Sequence, residues 1–152
     1  MQHLIAGALG GLIGAAAMDA VMVGGRRAGL LHTTLAEDSE RWLNRTLDTD
    51  RRLGRAGTTA VEQANHFAAG AGFGALFAAL RPALGSLPAA AAGALYGTGL
   101  YAVNIAGVAP LLGITRGEQN APPAQAAERF GLHVLFGVVT AVALDALARD
   151  RR

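Results

Sequence analysis

Four apolar segments set the limits on what this chain can fold into. Leu4 to Val23 carries one charge, Asp19. Ala64 to Leu80 and Leu87 to Ile114 carry none, and Phe130 to Leu147 carries only Asp145. Each is near the ~17–25 residues that a helix needs to cross hydrocarbon. A buried helix of a soluble protein can be this apolar, but four of them in 152 residues would leave no polar shell. The balance of 52% hydrophobic and 16% charged residues agrees, since soluble domains carry about a quarter charged. The expectation is an all-α, four-helix transmembrane bundle in one integral membrane domain, 1–152, with spans near 4–23, 60–80, 87–112 and 126–148.

The first segment has a rival reading as a signal peptide, because "GAAAMDA" offers small residues like those of a cleavage site. No Arg or Lys precedes the apolar run, and an internal repeat makes the segment part of the fold. "AGALGGLIGAAAMDAV" from Ala6 aligns with "AGALYGTGLYAVNIAG" from Ala92, and the second and fourth segments align through His66 and His133. The chain reads as two repeated helical hairpins, with the longer connection in the first. That insertion, within His32 to Gly57, contains "TTLAEDSERWLNRTL", with Thr33 and Thr34 as candidate N-caps. Leu35, Trp42, Leu43 and Leu47 fit one face of an amphipathic helix near 33–48. It is either interfacial, with Trp42 at headgroup depth, or a solvated linker. "DTDRRLGRAGTT" reads as turn and loop, with Thr58 or Thr59 capping the second span, and Pro122 and Pro123 mark the start of the fourth. A short connection is expected at "RPALGSLP" and a longer one after Thr115.

All thirteen basic residues are arginine. Nine fall on the long-loop side and four, Arg81, Arg149, Arg151 and Arg152, on the other. This favours a cytoplasmic long loop, although the terminal "RDRR" argues the reverse. No dense basic stretch suggests nucleic acid. The absence of cysteine excludes disulfides, thiolate metal sites and a cysteine nucleophile.

Each span carries one strongly polar residue near the same depth: Asp19, His66, Asn104 and His133. Such residues face a bundle interior and pair there. We expect the two histidines to approach the bundle axis from opposite helices, flanked by Asp19 and Asn104. Gly70 and Gly137, one turn beyond each histidine, would leave space beside the imidazoles. Three readings compete for this layer. It fixes helix register through hydrogen bonds; it binds a small ligand or relays protons; or it ligates a haem or another metal centre through two imidazoles, with Asp19 orienting a ring.

Other motifs are weaker. Glu62 and His66, one turn apart, read as a surface pair near the headgroups as readily as a site. His32 in "HTT" reads as an interfacial turn. The glycine-rich runs are not phosphate loops, since none follows a strand or ends in Gly-Lys-Ser/Thr. GxxxG spacings, Gly7 to Gly11 and Gly70 to Gly74, suggest close helix contacts within the chain, in a homo-oligomer or in a larger membrane complex. No nucleophile with an oriented base is apparent, so an enzyme is the least favoured class, and an accessory subunit of a larger complex is the main alternative to a binding protein.

The Gly/Ala-rich first helix, its "RRAGLL" exit, the polar amphipathic stretch and the paired His-x-x-x-Gly helices at His66 and His133 resemble the YagU-like small bacterial inner-membrane proteins. The resemblance implies a multi-helix protein of the bacterial inner membrane and supplies no reaction or ligand.

Overall fold

The computed structural model describes residues 1–31 and 35–149. His32, Thr33 and Thr34, with the capping and turn roles expected of them, lie outside the described residues. The described chain is helical and contains no strand. Its elements are α1 (Gln2–Arg27), α2 (Leu35–Leu47), α3 (Thr49–Leu80), α4 (Ala89–Leu111) and α5 (Pro123–Arg149). A 3₁₀ turn, Arg81–Leu84, follows α3, and another, Glu118–Asn120, lies between α4 and α5. Four helices are long and apolar enough to cross a membrane: α1, α3 with its 3₁₀ extension, α4 and α5.

Missing side chains set the packing. Helix α1 packs on α3 through Gly7 and Gly11, which lie against the backbone at Gly74 and Gly70, so close that a Cβ on any of the four would clash. Helix α4 packs on α5 in the same way, through Gly93 and Gly97 against Gly137 and the carbonyl of His133. A second face of α1, Gly10 and Gly14, sits on Thr140 and Phe136 of α5. Where α1 has Gly10 and Gly14, the aligned positions of α4 hold Tyr96 and Leu100. The fourth side of the bundle is accordingly spanned by a side chain, with Tyr96 donating from its hydroxyl to the Phe73 carbonyl of α3 at 2.6 Å. This arrangement leaves α3 and α5 as a diagonal pair.

Two apolar clusters fill the bundle. Ala6, Phe77, Ala78, Ala92, Ala141 and Leu144 close the end bearing the N-terminus. Met18, Met22, Leu100, Leu132 and Phe136 lie nearer the α2 end. Apolar side chains that remain exposed, such as Ile13, Leu95, Val103 and Val142, are distributed over the outside of the long helices.

Two local features depart from the sequence reading. The stretch 49–59 is helical, not turn and loop, apart from one break at Gly54 (φ 71°, ψ 166°). The start of α3 is capped from α2, where Asn44 Oδ1 accepts from the Asp50 N–H at 3.0 Å. Neither Thr58 nor Thr59 caps a helix. The Thr58 hydroxyl instead donates to Asp50 Oδ1 at 2.6 Å, tying the two sides of the break. In α4, the backbone widens to a π-helix over Tyr101–Val108. Pro110 follows directly, and its ring lacks an N–H and crowds the carbonyl four residues back, which loosens an α-helix at that point.

Helix α2 lies across the end of the bundle. Trp42 Nε1 donates to the Leu112 carbonyl at the end of α4 at 2.8 Å, and Arg45 donates to the Gly113 carbonyl at 3.2 Å. Arg26 at the end of α1 pairs with Glu37. Its acidic first turn, Glu37 and Asp38, suits a helix N-terminus, and both carboxylates are used to hold it down.

Candidate functional site

The polar residues of the spans converge at the α2 end of the bundle. Asp19 of α1 faces α3, where Gln63 donates to Asp19 Oδ2 and His66 Nε2 lies 3.5 Å from Asp19 Oδ1. The same ring nitrogen is 3.4 Å from the Ala15 carbonyl. The edge of Phe67 completes the imidazole's setting, with ring centroids 5.6 Å apart. His133 of α5 is buried, and its Nδ1 meets the Arg129 carbonyl one turn back at 2.8 Å. The Tyr101 ring lies 6.0 Å from that imidazole, edge to face.

Both histidines line the same two cavities. One, of about 130 Å³, is bounded by Asp19, Glu62, Asn65, His66, Arg129 and His133, with Met18, Met22 and Leu132 as its apolar wall and Ala36 and Ser39 of α2 over it. The other, of about 90 Å³, opens beside Phe73, Leu100 and Asn104 and again includes His66 and His133. Asp19 borders only the first cavity and Asn104 only the second, so the two histidines join the four expected residues. Asn104 sits within the π-helical stretch, the kind of widened turn that recurs at functional sites.

Glu62 is not a surface residue. It is 6% exposed and forms part of the cavity wall. Arg129, one of the nine arginines on the long-loop side, is 5% exposed and anchors the end of the site. Its guanidinium donates to Glu118 Oε1 at 2.7 Å and to Asp38 Oδ2 at 2.7 Å, while Tyr101 donates to Glu118 Oε2 at 2.6 Å. The signal for Arg129 was its spacing, four residues before His133 and therefore on the same helical face.

The arrangement limits the chemistry. The first cavity has room for several waters, whereas pockets for drug-sized ligands run to about 300–1,000 Å³. A haem macrocycle does not fit either space as shaped. The His66 Nε2 that would ligate a shared metal is turned to Asp19 and the Ala15 carbonyl. Among the described residues, no three His, Cys, Asp or Glu side chains converge as metal ligands do. What the site offers is two carboxylates, two imidazoles, an amide and the Arg129 guanidinium around a small space, set against the apolar cluster of Met18, Met22 and Leu132. Comparison with protein-family models, curated proteins and solved structures finds no match to this chain.

Proposed function

We propose that this chain is a multi-pass protein of the bacterial inner membrane, akin to the YagU-like proteins, whose intramembrane polar layer takes up protons or a small hydrogen-bonding ligand from the side covered by α2. The observation that carries this reading is that His66 and His133, on the diagonal helices α3 and α5, border the same two cavities. Intramembrane ionisable groups are costly to keep and mark proton or ligand sites as a rule. The pairing of Asp19 with His66 gives a proton two neighbouring acceptors.

The reading favours a one-sided site over a through-going pathway. The cluster around Phe77, Ala78 and Ala141 is fully buried and apolar, and it lies between the cavities and the opposite end. The glycine contacts in the α1–α3 and α4–α5 pairs support two repeated hairpins, offset by one turn. With α2 lying interfacially and the arginine-rich side cytoplasmic, the site would open to the cytoplasm.

Magic-angle-spinning NMR of the histidine-¹⁵N protein in bilayers tests this reading. Magnetisation transfer from mobile water to both the His66 and His133 imidazoles is expected. Two dry imidazoles would contradict a ligand or proton site and leave a register-fixing role in a structural or accessory subunit.

A further inference from the structure

A third, larger cavity lies outside the histidine layer. It occupies about 590 Å³ between α2, the 113–122 connection and the first turns of α5. Arg41, Arg45, Arg116 and Arg129 line it, with Asp38 the sole carboxylate on its wall among the described residues. Asp38 is divided between Arg41 and Arg129. Glu118 takes the other fork of Arg129. Arg45 reaches only a carbonyl, that of Gly113. Arg41 and Arg129 thus take up both carboxylates, and among the described residues neither Arg45 nor Arg116 pairs with one. The Arg129 Nε is buried and makes no hydrogen bond.

Guanidiniums gathered around a space with too few carboxylates suit an oxyanion with several acceptor oxygens, and above all a phosphate group. The position narrows the source. All four long helices end or begin on this side, where α2 lies, and Leu111 and Leu112 beside the cavity wall are 87% and 53% exposed. Trp42, a residue favoured at headgroup depth, is pinned against Leu112. A phosphate at the mouth of this cavity would have apolar surface next to it along which acyl chains can lie. We propose that this arginine-lined cavity binds the phosphate group of an anionic phospholipid headgroup.

The test uses the full-length protein in uncharged detergent at constant ionic strength, with its melting midpoint followed against added phosphatidylglycerol, phosphatidylcholine or inorganic phosphate. Phosphatidylglycerol should raise the midpoint by several degrees where phosphatidylcholine does not. The R45Q/R116Q double variant, altered at two exposed side chains, should need about tenfold more phosphatidylglycerol or higher, as expected when two charge-assisted contacts are lost. R149Q, at the opposite end of α5, should match the wild type. A matching shift with inorganic phosphate that the double variant also weakens would support the phosphate site and assign it to a soluble ligand. No shift with phosphatidylglycerol or inorganic phosphate, or a shift undiminished in the double variant, would overturn the proposal.

Discussion

Arg129 donates to Asp38 across 91 positions of sequence at 2.7 Å, joining the first half of α5 to the first turn of α2. Both side chains are withdrawn from solvent, at 6% and 16% exposure. With Glu118 on the other fork, the guanidinium is the joint of three segments that are separate in the chain.

Removing that joint should cost more than removing either carboxylate. Arg129→Met leaves Asp38 and Glu118 without it, and breaking a buried pair from one side costs about 3–5 kcal/mol. Asp38→Asn leaves Glu118 in place and should cost about 1.5–3 kcal/mol, the worth of one charged hydrogen bond. Arg129→Lys should not rescue the loss, because a single ammonium does not reproduce a planar fork held between two carboxylates. Unfolding in mixed micelles measures all three. Equal stability of Arg129→Met and wild type would show that α2 is not held by this contact.

Close backbone approach makes one glycine of the α1–α3 pair irreplaceable and leaves another dispensable. A Cβ at Gly11 would run into the Gly70 carbonyl and Gly74 Cα, so Gly11→Ala should separate α1 from α3 at a cost of about 1–3 kcal/mol. At Gly72 nothing lies within 4 Å of a Cβ. Gly72→Ala should be neutral or gain up to about 1 kcal/mol from helix propensity. The same unfolding assay decides, and a reversed order would contradict the packing of α1 on α3.

The break in α3 depends on a backbone conformation that almost only glycine adopts. With φ at 71° and ψ at 166°, Gly54→Ala should cost about 1–3 kcal/mol, although a Cβ there meets open space. If Gly54→Ala melts with the wild type, the helix does not break at this residue.

The sequence and the structure agree most closely where the signal is local. Charge-free runs are conspicuous, and the four long apolar helices fall on them. The candidate layer could be read because Asp19, Asn104 and His133 are isolated polar residues within apolar runs, His66 opens a charge-free one, and counting residues along a helix brings them near one level. Glu62 and Arg129 were harder to see. Each lies at the margin of an apolar run, where a charge looks like an ordinary flank, and only contact with other segments buries it. The stretch 49–59 read as loop because its charges and two glycines hide a helix whose start is capped by Asn44 of another element. The docking of α2 rests on contacts such as Trp42 with Leu112 and Arg129 with Asp38. Their sequence separation leaves no periodicity to detect.

The two cavities that His66 and His133 border are proposed to open to the α2 side alone. The chain contains no cysteine, so single introduced thiols report without background. Ala69 lines both cavities, Leu76 faces outward at 45% exposure, and Ala78 is fully buried. Each position would be changed to cysteine in turn in protein of known orientation in sealed vesicles, and a small charged thiol reagent applied from either side. Ala69→Cys should react from the α2 side only, and Leu76→Cys and Ala78→Cys should stay unmodified from both. A silent Ala69→Cys, or one modified equally from both sides, would contradict a one-sided polar site.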